Sequence, residues 1–196
     1  MTEILDVLRE EHHNIEKLLL VLERELRVFN RAERPDYHVV QSVIEYFQDY
    51  PDSCHHPKED MIFEKLKARD PTAAANVGDL EAEHAKGSKR LRRVARAVES
   101  ILADREILRQ TVDEIIHDFI DHERQHMAME ERVFFPVAVE ALRPQDWAEI
   151  YARLMARMDP LNTALEDKYR LLRHLILQWE EEAESERIHQ TCGPRS

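Results

Sequence analysis

His55-His56-Pro57-Lys58-Glu59-Asp60-Met61-Ile62-Phe63 returns, altered, as His126-Met127-Ala128-Met129-Glu130-Glu131-Arg132-Val133-Phe134. Each stretch carries a histidine, a glutamate four residues on, a second acid beside it, and then a phenylalanine. On a helix, positions i and i+4 lie on one face a turn apart, so each His/Glu pair can grip one object. Upstream of each stretch stands a Glu-His pair, Glu11-His12 in the first half and Glu83-His84 in the second. Two imidazoles and one carboxylate per half make a metal-ligand set, and its duplication predicts a two-metal site.

Working outward, the periodicity predicts a first helix over about residues 3–29, with Leu5, Leu8, His12, Ile15, Leu19, Leu22, Leu26 and Phe29 as its apolar stripe. His12 takes a stripe position, while His13 is turned ~100° away by the helical repeat, so His12 faces the core and His13 the solvent. A second helix is expected over about 36–67. Pro51 and Pro57 interrupt it, and each removes a donor and crowds the carbonyl four residues back, so a kink or bulge belongs there. The stretch 68–78 reads as a connection. Helix three repeats the rhythm with Leu80, His84, Gly87, Leu91, Val94, Val98 and Ile101, and helix four, about 106–142, carries His122, His126 and Glu130 among its apolar positions. Two similar hairpins imply an all-α fold, an antiparallel up-down-up-down four-helix bundle over residues 1–142. The interval from His12 to His55 nearly equals that from His84 to His126, which supports an internal repeat.

Beyond Pro144 the pattern changes, and residues 143–196 read as a C-terminal helical extension. A short helix is expected from Asp146-Trp147 to about Met158, stopped by Asp159-Pro160. A last one should start near Leu161 and end at Glu180-Glu181-Glu182, with the final dozen residues frayed. Its apolar face needs a partner: the bundle, a second subunit in a homodimer, or another protein.

Composition narrows the function. Three glycines and 35% charged residues favour long helices, and a formal net charge of -12 disfavours nucleic acid and anionic membrane surfaces as partners. No apolar run is long enough to span a bilayer, and the first residues lack the basic-then-apolar pattern of a secretory signal. Cys54 and Cys192 are too few for a disulfide framework or a four-thiolate zinc site, so a cytoplasmic setting is the expectation.

The candidate ligands are therefore His12, His55, Glu59, His84, His126 and Glu130. Any one of these histidines taken alone is more simply a core residue with a hydrogen-bond partner. Four of them, one per helix and two with glutamate at i+4, exceed that explanation, and two glutamates buried together without a cation would be costly. Imidazole with carboxylate suits iron or manganese. Two divalent cations bring four positive charges against two from the glutamates, so further anionic ligands and open coordination positions are expected.

Neighbouring residues rank lower. His122, one turn before His126, is a further ligand or a donor behind one, although Pro51 stands at its counterpart in the first hairpin. Glu131 and Asp60 are expected to face solvent or hold a neighbouring helix, Cys54 to act as a small buried hydrophobe, Tyr46 and Tyr50 to pack in the core, and Met127 and Met129 to fill gaps. Phe63 and Phe134 should wall the site.

In its residues Glu11-His12-x-x-Ile15, His55 to Asp60, Glu83-His84 and His126 to Pro136, the chain resembles the hemerythrin-like, or HHE cation-binding, family over roughly 1–142, and its extension is similar to that of bacterial members. The resemblance implies a non-haem di-iron centre, two iron ions with an oxo or hydroxo bridge, inside an up-down-up-down bundle. Oxygen-carrying hemerythrins have His-x3-His on the third helix, whereas His84 is followed four residues on by Ser88. They use His-x4-Asp on the fourth, whereas His126 pairs with Glu130, and Glu131 keeps the longer spacing as an acid. One fewer imidazole opens a metal position, which favours a protein that binds, senses or detoxifies oxygen, peroxide or nitric oxide. No protein base or nucleophile stands out for catalysis. The other readings are an iron-sensing module that signals to a partner through its C-terminal helices, and a purely structural helical oligomer.

Overall fold

The computed structural model describes residues 3–157 and 160–191. Every element it contains is helical: α1 (Glu3–Asn30), α2 (Tyr37–Tyr50), a π-helical turn (Pro51–His55), α3 (His56–Arg69), α4 (Pro71–Val77), α5 (Leu80–Leu102), α6 (Arg109–Met129), a second π turn (Glu130–Phe134), α7 (Phe135–Ala141), α8 (Pro144–Arg157) and α9 (Pro160–Thr191). α2 to α3 and α6 to α7 are each one long rod with a π turn inside, so the bundle has four rods: α1, α2–α3, α5 and α6–α7. α1 packs on α2 and α6, and α5 packs on the same two, which closes the ring.

The helix starts follow local chemistry. The side chain of Asp36 accepts hydrogen bonds from the His38 and Val39 amides, and that of Asp79 from the Ala82 amide. The 68–78 stretch, expected to be a plain connection, contains α4. Asp70 accepts from the Ala73 amide and Pro71 supplies the first helical residue, a start signal in its own right. Gly78, at φ 94°, ends α4 in a conformation that a side chain would strain.

Proline explains both π turns. Pro57 has no amide to donate and its ring displaces the carbonyl of residue 53, so the ladder opens by one residue and closes through the His56 amide on the Pro51 carbonyl. Pro136 does the same to the fourth rod, where the Phe135 amide reaches the Glu130 carbonyl. The first distortion is the one expected from Pro51 and Pro57; the second has the same cause.

The apolar residues form two clusters. One holds Leu18, Leu22, Val43, Phe47, Val94 and Phe119, and the other Leu5, Leu8, Ile62, Leu66, Phe134 and Phe135. The candidate metal ligands lie along the bundle axis between them. α1 buries more than one stripe, including Leu18, Val21 and Val28, because α9 lies along it as well as α2 and α6. α8 packs on α3, and α9 packs on α2 and α1. Tyr169 of α9 sets its ring edge-on to Tyr46 (5.9 Å) and Tyr50 (5.6 Å), and Glu180 forms a two-point ion pair with Arg24 at 2.5 and 2.8 Å. Contrary to the expected end at Glu180 to Glu182 with fraying beyond, α9 stays helical to Thr191, and Arg187 pairs with the buried Glu25 at 2.9 Å. Met158, Asp159 and Cys192 lie outside the described residues. Among the described residues, no helix is long and apolar enough to cross a membrane.

Candidate metal centre

Each rod delivers one imidazole to a common point. α1 brings His12, the first π turn His55, α5 His84 and α6 His126. Glu59 follows His55 by one regular α-turn and Glu130 follows His126 in the same way, so both carboxylates point inward beside their histidines. Neither glutamate has any exposed surface.

The two carboxylates are shared. Oε1 of Glu59 faces Nε2 of His12 (3.7 Å) and of His55 (3.4 Å), while its Oε2 faces Nε2 of His84 (3.4 Å). Oε2 of Glu130 faces Nε2 of His12 (3.3 Å), while its Oε1 faces His84 (3.7 Å) and His126 (3.0 Å). Each glutamate thus turns one oxygen to the His12/His55 pair and the other towards the His84/His126 side. All six sequence-derived candidates converge. Both oxygens of Glu59 and Glu130, and Nε2 of His12, His84 and His126, are buried without a hydrogen-bond partner. Buried polar atoms are normally paired, and leaving carboxylates so is costly, which is the condition a cation resolves.

Electrostatics fits. Burial alone would lower the pKa of His12 and His84, yet the facing Glu130 and Glu59 carboxylates overcome it and raise both imidazoles to about 10. Burial pushes Glu130 up, but His12, His126 and His84 hold it well below the usual carboxylate range. Glu59 is lowered likewise by His55, His12 and His84 against its burial. The site demands positive charge at its centre.

Behind the first pair of imidazoles stand orienting acids. Nδ1 of His55 meets Glu11 at 2.8 Å, and Nδ1 of His12 meets Glu131 at 2.9 Å. Such partners fix which ring nitrogen carries the proton and leave Nε2 for a metal. Glu130 is the buried inward acid and Glu131, its side chain 42% exposed, holds the neighbouring helix through His12. Behind the second pair of imidazoles, His84 and His126, the symmetry breaks. Asp60 is exposed, Glu83 pairs with Lys86, and Nδ1 of His126 is buried without a partner.

The near-candidates resolve as follows. Nε2 of His122 donates to the Glu83 carbonyl at 3.3 Å and does not join the cluster. Tyr46 and Tyr50 stack on each other at 4.7 Å in the core. Burial pushes the Cys54 thiol up to about 11, so it is not a thiolate at neutral pH. Met127 is buried in the larger apolar cluster. Phe63 and Phe134 pack edge to face beneath the site, but it is Phe135 that stacks on His12, at 5.7 Å and 12°.

Three residues near the cluster escaped the sequence reading. His56 stacks on His84 with ring centroids 3.6 Å apart, and its Nδ1 meets Asp52 at 2.9 Å. Lys58 is buried and donates to Glu11 (2.8 Å) and to the Cys54 carbonyl (2.6 Å). Glu123 lies against Gly87, where an added Cβ would stand 2.6 Å from its Oε1, and burial raises its pKa to about 7. A glycine inside the apolar stripe of helix three, three residues after His84, was the one available signal for Glu123.

A family model for the hemerythrin HHE cation binding domain matches residues 3–138. No curated protein and no solved structure matches the chain.

Proposed function

The chain belongs to the hemerythrin HHE cation-binding family, and from that premise we propose that it is a non-haem di-iron protein that binds, senses or detoxifies oxygen, peroxide or nitric oxide. One observation carries the two-cation part: two fully buried glutamates, each splitting its oxygens between the two sides of a four-imidazole cluster. His12, His55, His84 and His126 would hold the two cations, and Glu59 and Glu130 would bridge them. Imidazole and carboxylate donors without thiolate favour iron, with manganese as the alternative. Residues 1–142 are the metal-holding bundle in this reading and 143–196 its extension.

The small-molecule part rests on the surroundings. The space beside His84, His126 and Glu123 is a cavity of about 20 Å³, enough for a molecule of two or three atoms. Apolar clusters close the site along the bundle on either side. With Cys54 held as a thiol and no activated nucleophile near the cluster, the redox chemistry is assigned to the metal pair. Through Glu123 the protein places a protonatable acid beside the site. The test is anaerobic reconstitution with ferrous iron, followed by exposure to oxygen, peroxide or nitric oxide. Two irons per chain and a spectral change with at least one of these reagents are expected; indifference to all three overturns the reading.

One observation favours a second reading, iron sensing through the C-terminal helices. From His55 a line of polar contacts runs to Glu11, then to Lys58, and from Lys58 to Glu166 on α9 at 3.5 Å. A cation on His55 would alter the charge that Glu11 balances, and α9 lies at the end of that line. Limited proteolysis of α9 with and without iron separates the two readings, because equal protection in both states removes the sensing mechanism.

A further inference from the structure

We propose that Tyr169 is a redox-active residue that supplies an electron to the metal pair, through Tyr50, when hydrogen peroxide reacts there. The oxidised residue is then a tyrosine near the surface and not a ligand histidine. The proposal rests on the two-cation reading above. Three tyrosines meet where α9 packs on α2. The Tyr50 and Tyr46 rings stack at 4.7 Å, and Tyr169 turns its ring edge-on to both, at 5.6 Å from Tyr50 and 5.9 Å from Tyr46. Tyr50 ends α2 and His55 ends the π turn that follows, so the two stand one wide turn apart on the same rod. Glu11 joins them. It meets Nδ1 of His55 at 2.8 Å, and burial first and the Glu11 charge second raise the pKa of the Tyr50 hydroxyl.

The hydroxyls differ in what they can do with a proton. A phenol that loses an electron becomes strongly acidic, so a neutral radical settles where a proton acceptor stands by. Tyr46 is fully buried and its hydroxyl has no partner, so it packs but has nowhere to send a proton. Tyr169 has an acceptor. Burial first and the Asp49 carboxylate second push its hydroxyl up to about 12, and Asp49 is exposed. Lys168, also exposed, lies over the Tyr169 ring at 4.9 Å, so this tyrosine sits just beneath the surface. The electron count closes. Hydrogen peroxide takes two electrons and two protons to become two waters. With one ferrous ion left in the pair, that ion gives one electron and Tyr169 gives the other, by way of the Tyr50 ring. The phenolic proton of Tyr169 passes to Asp49, leaving a neutral tyrosyl radical, and the protons for water come from solvent. The C-terminal extension then has a part in the chemistry, since Tyr169 belongs to α9.

The competing explanation is an aromatic cluster that only packs, and phenylalanine separates the two by keeping each ring and removing its hydroxyl. The full-length chain is loaded anaerobically with ferrous iron, oxidised by one electron per pair with ferricyanide, mixed with hydrogen peroxide and frozen for electron paramagnetic resonance. Iron content is measured in every sample, so that a lost signal is not mistaken for lost metal. Wild type should show an organic radical whose signal narrows when its tyrosines are ring-deuterated. Tyr169→Phe and Tyr50→Phe should lose that signal, Asp49→Asn should lose most of it, and Tyr46→Phe should keep it. A wild-type signal in Tyr169→Phe or Tyr50→Phe, its loss in Tyr46→Phe, or no tyrosine radical in wild type would overturn the proposal and leave the two-cation reading standing. Fewer than two irons per wild-type chain would overturn both. Should Tyr169→Phe fail to fold or lose its iron, Asp49→Asn, at an exposed position, decides by the same criterion.

Discussion

Replacing Glu59 or Glu130 with alanine is expected to take both cations from the protein, whereas replacing His126 with alanine weakens one. The difference follows from how the carboxylates are placed. Oε1 of Glu59 serves the His12/His55 side at 3.7 and 3.4 Å, and its Oε2 serves His84 at 3.4 Å. Glu130 does the converse, with Oε2 towards His12 at 3.3 Å and Oε1 towards His126 at 3.0 Å. In the two-cation reading each glutamate would be a donor to two ions, and each is half of the carboxylate charge of the buried cluster. Its loss removes a ligand from each cation and leaves the remaining cation-cation repulsion with a single carboxylate between. The affinity of both should drop by more than the roughly 10–100-fold that loss of an orienting partner costs. Metal analysis of purified variants would show near-zero occupancy for Glu59→Ala and Glu130→Ala against two per chain for wild type. One cation retained at wild-type affinity in Glu59→Ala would show that the carboxylate is not shared.

What could be read from sequence is what a single helix dictates. The i, i+4 spacing put His55 with Glu59 and His126 with Glu130 on common faces, and the apolar stripe chose His12, which is buried, over His13, which is exposed. The prolines of the second helix announced its π turn. Pro136 carries the same information for the fourth, although it lies beyond the ligands. Glu130 and Glu131 differ by one position, and only the approach of α1 shows that Glu131 belongs to His12. His56, Lys58 and Glu123 were out of reach for the same reason. His56 matters because of a ring on α5, Lys58 because of a carboxylate on α1, and Glu123 because Gly87 lets α5 come close. Periodicity specifies which face a residue occupies; it says nothing of which side chain on another helix will meet it.

Removing the cations should destabilise the bundle, and by more as the pH rises. In the metal-stripped protein, His12 and His84 are held protonated by the carboxylates that face them, Glu59 and Glu130, with pKa values raised to about 10 despite burial. A raised pKa contributes stability that is fully present below the unfolded value of about 6.5 and is lost as pH climbs through the folded value. The stripped protein therefore keeps its protons as stand-ins for metal at pH 6 and progressively loses them towards pH 10. Metal binding displaces those protons, so it competes with them at low pH and faces less competition at high pH. At a free cation concentration about 1,000 times each Kd, two sites contribute on the order of 8 kcal/mol. For a chain of this size each kcal/mol moves Tm by about 2–4 °C, so the loaded protein should melt on the order of 20 °C above the stripped one. Calorimetry with Co(II) at pH 6, 7.5 and 9 should show that gap widening with pH. A gap that narrows would mean that the imidazoles and the cations do not occupy the same charge-demanding centre between Glu59 and Glu130.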